Sequence, residues 1–250
     1  MSKRTSLLAA AFAVLSSTAA TAEPLIELKG LQPSQYMQRR DRQPDLSNEL
    51  ATRSVDERLR AVTDDDAVAF ADDSAYPKTL KDDQRAQIRR RERQAVKLGA
   101  LVSLVDVDDP RVDAAFITAL DDLDPVVAQR AAERFGDRSS ALVVPTLAML
   151  ASSSERSIDV RSGALAGLGR HRDQAALTAL LSVTMTTTAP ELQTAGLHAV
   201  ELLGSRWAFE ARHEEALGAA LRAQAVTSLS AVKFSGEAEV RRLVTLARLR

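Results

Sequence analysis

Apolar residues recur at helical intervals along the last two-thirds of the chain, from Leu80 onward, where strand-like alternation is absent from the sequence. One pattern occurs five times: an aliphatic residue, a small residue at +4, and apolar residues at +5 and +8. The five starting residues are Val96, Val127, Val160, Leu192 and Leu221. They lie 29 to 33 residues apart, an interval that has room for two short helices and two turns.

The sequence between these starting residues predicts the other helix of each repeat. Apolar stripes with helical spacing occur in Val112–Leu120, Val143–Leu150 and Ala176–Leu181, a weaker one in Trp207–Leu217, and a last one at Val240, Val244 and Ala247. A helical hairpin cannot bury both of its apolar faces alone, so neighbouring hairpins stack. The small residue at +4, such as Ala164, is expected where two helices cross. The expected fold class is all-α, an α-solenoid of about four to five two-helix repeats over residues 81–250.

Proline and glycine mark the expected helix ends. The pairs Asp109-Pro110, Asp124-Pro125 and Ala189-Pro190 each precede an apolar stripe, and proline at the first helical position needs no hydrogen-bond donor. Gly136 and Gly169 come after the last apolar residue of their helices, where a left-handed glycine commonly closes a helix. These signals predict helix starts near residues 110, 125 and 190.

Two segments carry the motif of a known repeat family. Asp124–Gly136 and Asp159–Gly169 each hold an aspartate shortly before a valine, a small residue in the middle and an apolar-glycine pair at the end. Together with the proline in Leu142–Leu147, they resemble the HEAT repeat family over about residues 80–250. The resemblance implies two-helix repeats and a habit of binding proteins or peptides, with no particular activity. The motif's basic residue is replaced by Ala128 and by Gln193 in two repeats, so an armadillo-like or other α-solenoid stays an open alternative.

The first 22 residues have the organisation of a secretory signal peptide. Lys3–Arg4 give a positive start, Leu7–Leu15 form an apolar run, and small residues stand at Ala20 and Ala22. The apolar run is too short to cross a hydrocarbon core of about 30 Å. We expect cleavage between Ala22 and Glu23, and an exported chain, periplasmic or extracellular, whose mature form carries no transmembrane segment.

Two further segments precede the repeats. Residues 23–50 are rich in proline and glutamine without helical or strand periodicity, which predicts a flexible, partly disordered leader. Residues 51–80 predict a short helical cap, with Ser54 and Glu57 as a capping box. Asp64–Asp66 suit the start of a second short helix, because carboxylates are favoured at a helix N-terminus.

The cap has an expected role. The helix over Val96–Val105 is apolar nearly all round, whereas the terminal repeat of a solenoid normally shows water a polar face. We therefore expect residues 50–80 to fold back and cover this helix.

Composition and chemistry favour a binding protein over an enzyme. The chain has a formal net charge of −1, three histidines and no cysteine, and it carries no nucleophile elbow, phosphate-binding glycine loop or set of metal ligands at recognised spacing. We predict no cofactor and no metal. The expected function is an exported, non-enzymatic scaffold for a protein or peptide partner. One alternative is an enzyme or enzyme accessory, since some HEAT-like proteins are lyases or glycosylases.

Charge is distributed unevenly around the first repeat. Residues 81–97 carry seven basic and three acidic side chains, whereas residues 106–124 carry seven aspartates and one arginine. The simpler interpretation is a solvated helix whose charges are balanced by the next turn. The alternative is an adaptor that docks on an anionic envelope surface through Arg89, Arg90, Arg91 and Arg93.

The partner surface follows from the repeat pattern. Positions +2 and +6 lie opposite the core side, and second helices line the concave surface of HEAT-like solenoids. In the middle repeats these positions are Ser162, Ala166, Thr194, His198, Ala223 and Thr227. Such a floor is small-sided, hydrogen-bonding and nearly uncharged. It suits a polypeptide segment, and it lacks the basic track that nucleic acid requires.

Overall fold

A computed structural model describes residues 26–27, 46–65, 68–69, 81–205, 209 and 213–250. The predicted signal peptide, its cleavage site at Ala22 and Glu23, and most of the predicted leader lie outside these residues. Eleven helices fill the described ranges: α1 Leu46–Ala51, α2 Val55–Thr63, α3 Asp82–Leu104, α4 Pro110–Ala119, α5 Pro125–Phe135, α6 Val143–Ser152, α7 Ile158–His171, α8 Gln174–Thr186, α9 Pro190–Leu203, α10 Glu215–Ser230 and α11 Gly236–Leu249. Two short strands, β1 Ile26–Glu27 and β2 Val68–Ala69, pair in parallel, with Ile26 opposite Val68. The all-α class is confirmed.

Side-chain caps begin several of these helices. Asp109, Asp124 and Asp173 each accept a hydrogen bond from a backbone N–H in the first turn of α4, α5 and α8. Proline opens α4, α5 and α9, as the sequence predicts. Ser54 and Glu57 form the predicted capping box of α2, with Ser54 N–H donating to Glu57 Oε2 at 2.8 Å.

The helices of the repeat region pack in pairs and in two rows. The pairs α2–α3, α4–α5, α6–α7, α8–α9 and α10–α11 are each in contact. The second members, α3, α5, α7, α9 and α11, also contact one another in that order and are called the inner row. The first members form the outer row, with contacts between α2 and α4, α6 and α8, and α8 and α10. The apolar core lies between the two rows.

The repeated apolar pattern marks this core. In the first four repeats all four pattern positions are buried. The small residue at +4 is fully enclosed, as at Ala131 and Ala164, which are 0 % exposed. In the fifth occurrence Val226 is half-buried.

The last repeat departs from the predicted arrangement. Leu221 lies on α10, whose main neighbours are α8 and α11, so this occurrence of the pattern belongs to the outer row. Helix α11 takes the inner-row position beside α9. Its predicted core stripe is wrong, because Val240 is 62 % and Val244 37 % exposed and Ala247 is also exposed. The buried positions of α11 are Ala238, Arg242, Thr245, Leu246 and Leu249. Of the predicted helix over Trp207–Leu217, only residues 209 and 215–217 are described as helical.

Helices α1 and α2 lie against α3. A Cβ placed on Gly99 of α3 would lie 3.0 Å from Leu46 Cβ, and Leu50 is 2 % exposed. Arg58 Nη1 donates to the carbonyl of Ser103 at 2.7 Å. Residues 46–50, which composition assigns to the leader, are therefore helical and pack against α3.

Of the expected helix start at Asp64–Asp66, Asp64 and Asp65 lie within the described residues. Asp64 is the C-terminal cap of α2, and Asp65 pairs with Lys97 Nζ at 2.6 Å. The ion pair with α3 gives the carboxylate a stronger partner than a helix dipole would, because Lys97 carries a full charge. Of the predicted cap, residues 66–67 and 70–80 lie outside the described part.

Glycines let three inner-row helices approach closely. A Cβ on Gly163 or Gly167 of α7 would collide with the backbone carbonyl of Gln129 or Ala132 on α5. On the other side of α7, a Cβ on Gly169 would lie 2.7 Å from the carbonyl oxygen of Ala199 on α9. Gly169 is thus inside α7 and not behind it. Gly136 follows α5 with a right-handed φ of −62°, so the left-handed caps expected at both positions are wrong.

Candidate binding surfaces

Four of the six predicted floor residues occupy equivalent positions on two adjacent helices. Ser162 and Ala166 lie on α7, and Thr194 and His198 lie on α9. The first three are half-buried and His198 is exposed. The hydroxyls of Ser162 and Thr194 make no hydrogen bond within the described ranges. Three of these four residues have small side chains, two of them with available hydroxyls, and we call the four the inner-row floor.

The other two predicted floor residues lie elsewhere. Ala223 and Thr227 are exposed on α10, in the outer row. The Thr227 hydroxyl donates to the carbonyl of Ala223 at 2.9 Å, so it is already used within its own helix. The structure therefore does not place this pair in line with α7 and α9. The pattern at Leu221 therefore predicts the spacing of the helices correctly but assigns this helix to the wrong row.

Charged side chains border the inner-row floor. On the α11 side, Arg241 Nη2 donates to His198 Nδ1 at 2.6 Å and pairs with Glu201 at 2.7 Å, and Arg248 also pairs with Glu201. On the α5 side, Arg130 pairs with Glu133 at 2.6 Å. The expectation of a nearly uncharged floor thus holds for Ser162, Ala166 and Thr194 and is wrong at both borders.

The basic residues singled out on α3 are partly neutralised. Arg90 Nε donates to Asp124 Oδ2 at 3.0 Å, and Arg93 lies 3.6 Å from Asp65. Arg89 also has a partner, and Arg91 is exposed. The partners come from the acidic segment and from the cap, so the balancing of charge by neighbouring turns is the better description of most of this patch.

Lys97 shows how tightly the two charged segments are joined. Its ammonium is 2.6 Å from both Asp122 and Asp65, and its side chain is 9 % exposed. Burial alone would lower the pKa of Lys97, but the hydrogen bonds to the two carboxylates outweigh it and the pKa is raised. The hydrogen bond from Lys97 lowers the pKa of Asp65 in turn. The ammonium therefore serves the fold and is not available to a ligand.

The acidic segment has structural partners as well. Asp109 accepts from Arg111, whose side-chain and backbone hydrogen bonds lower the pKa of the Asp109 carboxyl. Asp113 pairs with Arg138 at 2.6 Å, and Asp121 pairs with Arg156. Asp122 and Asp124 are also ion-pair partners. Five of the seven aspartates are thus helix caps or ion-pair partners. The cluster therefore needs no bound cation to explain it.

A groove at one edge of the helical rows was missed by the sequence reasoning. It has a volume of about 750 Å³ and is lined by the turn after α3, the α5–α6 loop and the α7–α8 turn. Arg134 and Arg170 both point their guanidinium groups at Asp137, with closest distances of 3.4 Å. Each arginine stands in the last turn of an inner-row helix. Arg134 follows Val127 by seven positions and Arg170 follows Val160 by ten, and the other three occurrences of the pattern have no basic residue there. The repeat pattern therefore gave no signal for this groove.

Within the described part of the chain, no group of three or more histidine, aspartate or glutamate side chains is arranged to hold a metal ion. None of the helices in those ranges combines the length and apolarity needed to cross a bilayer. Comparisons with protein-family models, with curated proteins and with solved structures found no match for this chain.

Proposed function

We propose that the protein is an exported, non-enzymatic scaffold of HEAT-like repeats that binds a polypeptide segment on the inner row. The observation that carries this proposal is the inner-row floor. Ser162, Ala166 and Thr194 occupy equivalent pattern positions on two closely packed helices, and they have small side chains and two hydroxyls without a hydrogen bond among the described residues.

The two-row packing supports the solenoid part of the proposal. Each pair of helices contacts the next pair through its inner-row member, and the repeated apolar positions are buried between the rows. A solenoid gains its stability from such contacts between neighbours, and its uniform rows provide extended binding surfaces.

The chemistry of the floor supports a polypeptide as the partner. An extended backbone carries donors and acceptors that hydroxyls can satisfy, and alanine and serine side chains let it come close. The borders hold both signs of charge, with Glu133 and Glu201 beside Arg130 and Arg241. A nucleic acid would need a run of unpaired cations, because phosphate contacts dominate its binding. We therefore propose a protein or peptide partner and no nucleic acid.

Affinity capture tests the proposal. The mature chain, beginning at Glu23, serves as bait for an envelope fraction of the native organism, in parallel with Ala166→Arg and Thr194→Arg. Both changes place a long charged side chain on the floor without entering the core, so we expect the partner to be lost while helicity is retained.

The matched control is Thr178→Arg on α8. Thr178 is exposed in the outer row and bonds only to its own helix, at Gln174 O. We expect this variant to capture the partner as the wild type does. Undiminished capture by both floor variants would refute the floor as the binding surface, and the basic residues Arg89 to Arg93 on α3 would be the next candidates.

A further inference from the structure

The groove at the loop edge differs from the inner-row floor in position and in chemistry. It lies where α3, α5 and α7 end, and its lining includes four arginines and three aspartates. A second groove of about 520 Å³ continues it along the same edge, sharing Asp137, Arg138 and Ser139 with the first. Together they form one cleft across three successive turns between helices.

Among the described residues, two arginines in the cleft share a single carboxylate. Arg134 and Arg170 approach Asp137 at 3.4 Å, whereas a strong charge-assisted hydrogen bond measures about 2.7–2.9 Å. Their side chains are 41 % and 34 % exposed. In addition, Arg170 Nε is shielded from solvent and has no hydrogen-bond partner among the described residues. The pair therefore has donors to spare for a second carboxylate, since each guanidinium carries five N–H groups.

The floor of the cleft is fixed. Arg138 is 8 % exposed and is held by Asp113 and by backbone carbonyls at the end of α3. His171 is held between Gly136 O at 3.3 Å and Asp173 Oδ2 at 3.4 Å. Because these side chains are already bonded, the turns that carry Arg134 and Arg170 are held in place before any ligand arrives, which reduces the ordering cost of binding.

From this arrangement we infer that the cleft binds an acidic polypeptide segment, with a glutamate or aspartate carboxylate of the partner held by Arg134 and Arg170. The inference rests on the proposed function and names the partner's chemistry. The size of the cleft exceeds what one small anion fills and suits several residues of a chain. The other end of the cleft carries Asp108 and Asp109, so only the end with Arg134 and Arg170 suits an acidic side chain of the partner. A nucleic acid, whose phosphates are continuous, would also meet these carboxylates.

The test uses the full chain and a labelled six-residue peptide containing two glutamates, followed by fluorescence anisotropy. The same peptide with glutamines is the ligand control. We expect the glutamate peptide to bind more tightly than the glutamine peptide. Arg134→Gln and Arg170→Gln should each lower the affinity for the glutamate peptide by about tenfold, the usual effect of losing one charged hydrogen bond. Arg156→Gln is the protein control, because Arg156 is exposed between α6 and α7, pairs with Asp121 and lies outside the cleft.

Asp137→Asn gives a change of opposite sign. It frees Arg134 and Arg170 from their shared carboxylate, so the glutamate peptide should bind severalfold more tightly. A merely structural Asp137 would give weaker binding or none. Circular dichroism of every variant shows whether the helices are retained.

The inference is overturned if the glutamine peptide binds as tightly as the glutamate peptide, or if all four protein variants bind the glutamate peptide with the same affinity as the wild type. It is also overturned if a single-stranded oligonucleotide binds more tightly than the glutamate peptide. Displacement of the glutamate peptide by a low concentration of inorganic phosphate would also overturn the inference, because it would indicate a site for small anions. If the peptide result fails while Ala166→Arg still abolishes partner capture, only the cleft assignment falls. If the Ala166→Arg variant captures as much partner as the wild type, the proposed function is refuted even when the glutamate peptide binds.

Discussion

Arg138 donates from Nε to Asp113 Oδ1 at 2.6 Å, in an ion pair whose side chains are 8 % and 13 % exposed. Its Nη1 also donates to the carbonyls of Leu104, Val105 and Val107 at 2.9–3.0 Å. One side chain after α5 thereby connects the end of α3 and the turn that follows it with the first turn of α4. The α5–α6 loop and its neighbours are fixed largely by this residue.

Replacing Arg138 with methionine should lower the free energy of unfolding by about 3–5 kcal/mol, because it leaves a buried carboxylate and carbonyl groups without donors. Denaturant unfolding of both proteins measures the difference. Arg130→Met, at an exposed ion pair on α5, should change it by less than about 1 kcal/mol. Equal, small effects of the two changes would contradict the structural role given to Arg138.

Close backbone contact predicts a second stability effect. A Cβ on Gly167 would meet the carbonyl of Ala132 and the side chain of Leu147 at 2.9 Å, so Gly167→Ala should force α5 and α7 apart. We expect a loss of about 1–3 kcal/mol, measured by thermal or denaturant unfolding. Ser162→Ala, on the same helix but outside the contact, should leave stability nearly unchanged. If Gly167→Ala leaves the free energy of unfolding unchanged, the two helices are not in backbone contact.

Acid stability should depend on Glu239. The bidentate hydrogen bonds from Arg242 and the bond from Phe234 N–H lower the pKa of Glu239 to about 2, from an ordinary value near 4.5. A lowered pKa stabilises the fold above the ordinary value, and this contribution is lost as the pH falls from about 4.5 to about 2. In Glu239→Gln the loss of unfolding free energy between pH about 4.5 and about 2 should therefore be smaller than in the wild type.

The comparison is made by measuring unfolding at several pH values between 6 and 2. Glu237→Gln is the control, since Glu237 is exposed in the same first turn of α11 and makes no ion pair within the described residues. An acid profile of Glu239→Gln that matches the wild type would show that the Arg242 pair does not contribute.

The proposed export predicts the N-terminus of the mature protein. Signal peptidase should cut after Ala22, so that N-terminal sequencing of the exported protein starts at Glu23. Ala20→Leu together with Ala22→Leu should block this cut, because the enzyme requires small residues at both positions. An isolated protein that still begins at Met1 would refute the localisation.

Local signals in the sequence predicted much of the fold. The capping box of Ser54 and Glu57 depends on neighbouring residues only, and helical periodicity alone places Val96, Ala131 and Leu165 in the core. Both kinds of signal act over one or two turns. They need no knowledge of which helices meet.

Features that depend on distant residues could not be predicted. On α11 the apolar Val240 faces out while Arg242 is buried, because Glu239 and the carbonyl of Leu229 satisfy the guanidinium. An amphipathic pattern cannot reveal such compensation. The cleft likewise joins Asp106, Asp137 and Arg170, which are far apart in sequence and share no motif.

The central claim is that a polypeptide partner lies on the inner-row floor. Site-specific photo-crosslinking measures this most directly, with a photoreactive residue at Thr194 on α9 or, as a matched control, at Thr178 on α8. The account predicts a crosslinked partner from position 194 and none from position 178. Crosslinking from position 178 with equal or greater yield would contradict it.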